Sequence, residues 1–182
     1  YMIKDDGTPS YGWFIQKHWS FNEIPQGNIY NFLLERNFIP AMATMIKRRV
    51  LGKVGKYDET LRYEDYDMWL RIAKEFDFVF SDYVSVRYRL HDQNLHKKLK
   101  RYYQVEDLKI FSKHLTQPKA LTRIENSILC LYETGEIFDL QVYSLVKKLL
   151  PRIRNRILRL GIKNKIPFKY YNFARALRSL IP

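Results

Sequence analysis

Residues 63–71 read Tyr63-Glu64-Asp65-Tyr66-Asp67-Met68-Trp69-Leu70-Arg71, with three carboxylates in four positions at the head of an apolar helical pattern. From Asp67 on, Met68, Trp69, Ile72, Ala73 and Phe76 follow helical spacing, which predicts a helix over Tyr66–Phe76 with one buried face. Glu64, Asp65 and Asp67 then sit at or just before its N-terminus, where unpaired N–H groups and the helix dipole favour anions. Capping accounts for one or two of these side chains. It does not account for an acidic pair set among two tyrosines and a tryptophan. Aromatic faces beside carboxylates hold sugars in many proteins and fill ordinary cores in many others.

The surrounding pattern divides the chain in two. Up to about residue 96 it mixes strand and helix signals. Tyr1-Met2-Ile3 reads as a strand entered without a lead-in, as in a segment taken from a longer protein, and it runs into a turn at Gly7. Residues 8–27 read as loop and Asn28–Arg36 as helix. Ala41–Ile46 reads as a buried strand and Lys47–Leu51 as a helical turn, with a turn over residues 52–59. Phe78–Phe80 and Val84–Arg89 read as strands, the second alternating Val84, Val86 and Tyr88 against Ser85, Arg87 and Arg89. Beyond Lys97 the pattern is helical throughout, over 97–115, 118–134, 139–160 (with Pro151 as a kink or break) and 168–181.

Charge follows the same division. The net charge is +13, and residues 140–182 carry eleven Lys or Arg and no acid, leaving +2 for the rest. Such a basic tail suits an anionic partner, a membrane surface or a nucleic acid. Its apolar positions (Val142, Leu145, Val146, Leu149, Leu150, Ile153, Ile157, Leu158 and Leu160, then Phe168, Tyr171, Phe173, Leu177, Leu180 and Ile181) make amphipathic helices. These fit either a bilayer interface or a bundle packed on the protein. No recognised nucleic-acid motif is present, so no nucleic-acid partner is expected. No apolar run approaches the ~20 residues of a membrane span, and no signal-peptide pattern opens the chain. The single cysteine, Cys130, excludes an internal disulfide and reads as a small buried hydrophobe. Together these point to a cytoplasmic protein, peripheral on the cytoplasmic face of a membrane if the tail binds lipid.

Taken in order, Asn37-x-x-Pro40, Ile46-Lys47-Arg48, Val54-Gly55-Lys56-Tyr57-Asp58-Glu59, Glu64-Asp65-Tyr66-Asp67-Met68-Trp69-Leu70-Arg71 and Tyr88-Arg89-Leu90-His91 closely resemble the acceptor-side half of bacterial family 2 glycosyltransferases. The resemblance spans residues 1–96. It implies an α/β fold: an incomplete GT-A-type mixed sheet with helices, followed over 97–182 by an all-helical basic C-terminal extension. It implies inverting transfer of a sugar from a nucleotide-sugar donor to a saccharide or lipid-linked acceptor. Asp65 takes the place of the general base, with Glu64 positioning it or the acceptor. Tyr57, Asp58 and Trp69 are candidates for the acceptor pocket, Trp69 being equally a core residue. Arg89 and His91 are candidates for the donor diphosphate, and His91 for a metal, unless His91 is simply a polar residue at a strand end. A helix N-terminus lowers the Asp65 pKa while burial among Tyr63, Tyr66 and Trp69 raises it, a balance left to the structure.

The complete enzymes of this family use a divalent cation, Mn²⁺ or Mg²⁺, held by an Asp-x-Asp motif in a donor-site context. That context is absent from this sequence, as is a Gly-rich phosphate loop. Asp65-Tyr66-Asp67 has the letters but belongs to the acceptor-side motif. The expectation is a chain inactive without a donor-binding half. The alternative is a basic membrane- or nucleic-acid-binding module without catalysis.

Overall fold

The computed structural model describes residues 2–4, 6–10, 23–92 and 102–171. Contacts divide the chain into two compact units, Tyr1–Arg101 and Tyr102–Pro182.

The first unit is built around one helix. Strand β1 (Met2–Ile3) leads into a turn in which Gly7, at φ +86°, donates its N–H to the Lys4 carbonyl. Helix α1 (Tyr30–Leu33) and helix α2 (Arg48–Val54) flank α3 (Glu64–Ala73). Strand β2 (Tyr88–Arg89) pairs in parallel with β1, Met2 opposite Tyr88 and Ile3 opposite Arg89. Helix α3 starts two residues earlier than its apolar pattern predicts, because the carboxylates take up its first turn. It is also buried on more than one face: Tyr66, Asp67, Met68, Trp69, Leu70, Ile72 and Ala73 are all inside. The Tyr66 hydroxyl donates to the Leu33 carbonyl at 2.5 Å, tying α3 to the end of α1.

The expected strand at Ala41–Ile46 does not form. Ala41–Ala43 is a 3₁₀ turn closed by Ala43 N–H and Thr44 Oγ on the Pro40 carbonyl, and Met45 is almost fully exposed. A strand needs a neighbour for its backbone groups, and among the described residues this segment has none. Similarly, Phe78 keeps one antiparallel bridge, to Gly27, and only residues 88–89 of Val84–Arg89 pair as strand. Burial alternates only from Ser85 on, with Val86 and Tyr88 half-buried and Ser85, Arg87 and Arg89 exposed; Val84, expected inside, is exposed.

The second unit is helical: α4 (Tyr103–Phe111), α5 (Pro118–Thr134), α6 (Leu140–Leu149) and α7 (Arg156–Lys163), with residues 168–171 again helical. Helix α5 has the predicted bounds because its ends are written in the sequence. Pro118 occupies its first position, and Gly135 ends it at φ +80°. Asp139 caps α6 through the N–H groups of Gln141 and Val142, and Asn155 caps α7 through Leu158 N–H. Pro151 breaks the predicted 139–160 helix, within the 3₁₀ segment Leu150–Arg152. Most of the amphipathic stripe is spent internally: Val146, Leu149, Leu150, Ile153, Leu158 and Ile162 are buried, whereas Leu160 is exposed. Cys130 is half-buried, not enclosed, since it lies beside the Ile124–Ile128–Leu131 stripe of α5. Residues 97–101 and 172–181 of the expected helices lie outside the described residues.

Tyr132 organises the end of this unit. Its ring meets Phe138, Phe168 and Tyr171 edge-on at 5.3–6.0 Å, and its hydroxyl donates to the Ile166 carbonyl. Gly161 faces it, and a Cβ there would lie 2.8 Å from the Tyr132 hydroxyl. This close approach explains a glycine inside a helix, where alanine would otherwise gain about 1 kcal/mol. Gly161→Ala is therefore expected to lower stability by about 1–3 kcal/mol despite better helix propensity. Tyr132→Phe in the same chain should recover part of the loss, read as the urea midpoint of the helical unit.

Candidate active site

The acidic cluster separates into side chains with different tasks. Asp67 is fully buried, and its Oδ2 accepts from Arg71 Nε at 2.8 Å, one helical turn on. The same guanidinium donates to the Val54 carbonyl at 2.5 Å and the Lys56 carbonyl at 2.9 Å. Arg71 thus fixes the loop after α2, where Gly55 turns the chain at φ +84°. That loop carries Tyr57 and Asp58. Asp67 is the anchor of this clamp, so Asp65-Tyr66-Asp67 does not present two carboxylates to a metal.

Asp65 lies in the first turn of α3, half-buried, and makes no ion pair among the described residues. Its Oδ1 accepts from Tyr66 N–H at 2.7 Å, and the Asn37 side chain also hydrogen-bonds it. Asn37 is itself set by accepting from Ile39 N–H at 3.1 Å, just before Pro40. Burial is the larger influence and raises the Asp65 pKa; the adjacent Glu64 charge adds to this, and the Tyr66 and Asn37 hydrogen bonds oppose it. A carboxylate with raised proton affinity, held by oriented donors, is suited to taking a proton from a hydroxyl.

Tyr57 is 40% exposed, and its pKa is raised by burial and by the Asp65 and Glu64 charges. Glu64 is exposed at the helix start. Asp58 builds the turn: its Oδ1 accepts from the N–H and hydroxyl of Thr60 at 3.1 and 2.6 Å. Trp69 is buried, with an indole N–H that has no partner, and it forms one wall of an apolar groove of about 700 Å³. Phe38, Ile46, Phe78, Val86 and Tyr88 form other walls. Arg89 and His91 lie apart in the fold, on and just after β2. Arg89 reaches the Lys4 carbonyl at 3.5 Å and lies near Asp6.

The structure thus gathers Asp65, Glu64 and Tyr57. It adds two residues that the sequence reading did not single out, Asn37 and Arg71. Both stood in the quoted motifs, and the Asp67–Arg71 spacing of four was a readable sign of an ion pair. Among the described residues no group of three His, Cys, Asp or Glu side chains converges as a metal site.

Two predictions separate the carboxylates. The Asp65 pKa is raised on folding, so the folded state binds the proton more tightly and stability falls as pH rises through the window above the ordinary carboxylate value. Asp65→Asn is expected to raise the thermal midpoint at neutral pH, with the gain vanishing in acid below that window. Asp67→Asn leaves Arg71 without its counter-charge and should cost about 2–4 kcal/mol in denaturant unfolding. It should also speed tryptic cleavage after Lys56.

The family described as "Glycosyltransferase like family 2" matches residues 27–124, which carries the likeness beyond residue 96 and into α5. The O-antigen biosynthesis glycosyltransferase WbnJ of Escherichia coli is 32% identical over 116 residues, 60% of this chain and 43% of that protein. The chain therefore spans less than half the length of this relative. No solved structure matches. With its acidic helix start, its clamped loop and a match over more than half its length, the chain belongs to the family 2-like glycosyltransferases.

Proposed function

We propose that these residues form the acceptor side of an inverting glycosyltransferase, with Asp65 as general base. The observation that carries the reading is a desolvated, raised-pKa carboxylate held at a helix start by Asn37 and Tyr66 N–H, with Tyr57 alongside. Asp65 takes the proton of an acceptor hydroxyl as that oxygen attacks the anomeric carbon of a nucleotide sugar. The bond from that carbon to the diphosphate breaks, its electron pair leaves with the nucleotide, and configuration inverts. Glu64 and Tyr57 position the acceptor, and Arg89 and His91 face the donor diphosphate. Asp58 and Trp69 contribute less directly, as turn and wall.

A divalent cation, Mn²⁺ or Mg²⁺, would neutralise the departing diphosphate in the complete enzyme. The described carboxylates and imidazoles do not offer it a site, so it belongs with a donor-binding part that these residues do not supply. The apolar groove beside Trp69 is a fitting seat for that part: its walls include Phe78–Phe80 and Val84–Val86, a backbone almost without strand partners. By itself the chain would be inactive. The O-antigen assignment of the Escherichia coli relative suggests polysaccharide biosynthesis, with a glycan or lipid-linked acceptor met at the cytoplasmic membrane face.

The test is nucleotide release and sugar transfer by this chain rejoined to a donor-binding segment, with Mn²⁺ or Mg²⁺. Asp65→Asn should lower kcat by a factor of about 10² or more while KM for the donor moves little. An unchanged kcat would remove Asp65 from the chemistry.

A further inference from the structure

The second unit presents a basic exterior with few internal partners. Nine Lys and Arg lie between residues 147 and 169, and none of them makes an ion pair among the described residues. Most of the apolar stripe of α6 and α7 is consumed inside the unit, with Leu160 left 45% exposed, so a partner must meet what remains outside. At the start of α6 the outside is apolar as well as cationic. Leu140 is 87% exposed and Phe138 is 38% exposed. Together with Tyr143 and Lys165 they line a notch of about 200 Å³. Lys165, held at φ +51° past the end of α7, places its ammonium 5.8 Å from the centre of the Tyr143 ring. Lys147 stands one helical turn beyond Tyr143 on the same side of α6. The nearest acids in sequence are Glu136 and Asp139, and the Asp139 carboxylate is engaged with the first N–H groups of α6.

We propose that Phe138, Leu140, Tyr143, Lys147 and Lys165 form the surface by which this unit seats on an anionic phospholipid membrane. An exposed aliphatic tip ringed by aromatic side chains and lysines matches the headgroup boundary, where apolar side chains enter and ammonium groups meet phosphates. A nucleic acid offers nothing for Leu140, since single strands are held by aromatic stacking platforms and duplexes by polar contacts in grooves. The surface specifies how the membrane reading above is realised. It does not depend on glycosyl transfer, so its failure would leave the transferase assignment standing.

The experiment is flotation of the whole chain with vesicles of phosphatidylcholine alone or mixed with phosphatidylglycerol. Binding should be about tenfold or more stronger on the anionic vesicles and fall with salt. Lys147→Gln with Lys165→Gln should weaken it about tenfold, and Leu140→Asn several-fold. Arg152→Gln with Arg154→Gln, the same charge loss beyond the far end of α6, should weaken it distinctly less. In a Cys130→Ser background, Leu140→Cys bearing an environment-sensitive dye should report an apolar setting on anionic vesicles. Circular dichroism matching the parent chain keeps each variant interpretable. Equal binding to both vesicles, no binding, an aqueous dye signal, equal loss from the arginine pair, or displacement of vesicles by RNA would each overturn the proposal.

Discussion

A carboxylate enclosed in apolar surroundings must be neutralised or matched, and in the first unit Asp67 is matched by Arg71. Much of the local geometry follows from that pairing. Helix α3 runs through the middle of the core, so Asp67 cannot reach water. Arg71, four residues on, supplies the charge and keeps two donor groups for the Val54 and Lys56 carbonyls. These loop carbonyls, which follow a glycine-terminated helix, are satisfied by a side chain where no strand or water need serve. The loop is fixed to the helix that carries Asp65, and Tyr57 is brought to the two carboxylates before it. Asn37 completes the arrangement from the other direction, its own orientation set by the turn into Pro40.

The sheet tells a different story. Two strands of two residues each are far below what holds a sheet together in water. The unit's cohesion rests on helices α1, α2 and α3, while residues 78–87 run alongside with one bridge among the described residues, Phe78 to Gly27. Their apolar side chains form a groove and do not close into a core. Side chains patterned for burial thus lie on a backbone with few strand partners among the described residues. This explains why Trp69 keeps an unsatisfied indole N–H at the groove wall.

Legibility in the sequence depended on how local each signal was. Helix α5 was readable at both ends because Pro118 and Gly135 act within their own turns. Helix α3 was readable in kind but not in its setting: period alone shows a buried stripe, whereas enclosure on several sides is a tertiary fact that makes Asp67 internal. Ala41–Ile46 was misread because small apolar residues are compatible with a strand only where a neighbour exists. The cationic helices 140–163 were read as equally fit for a bilayer or a bundle. Packing against the Tyr132 cluster decided the fate of their apolar side, leaving the cationic side outward. The candidate base was visible in the Glu64-Asp65 pair, but its electrostatic state was not, since burial and capping act on it with opposite sign.

That electrostatic state is what distinguishes Asp65 from its neighbours. Five carboxylates lie within residues 58–67; Glu59 is exposed, and the other four divide among different environments. Asp58 is spent on the Thr60 turn, Glu64 is exposed, and Asp67 is buried but neutralised by Arg71. Asp65 alone is desolvated without a cation, so its charged form is disfavoured by folding. Packing gives no reason to keep such a group, since asparagine would fill the same space and could accept the same hydrogen bond from Tyr66. A proton acceptor whose affinity for the proton has been raised at some cost in stability is what the proposed general base requires. Asp67 and Asp65 thus stand two residues apart in different surroundings, one paired with Arg71 and fixing the loop, the other desolvated without a cation.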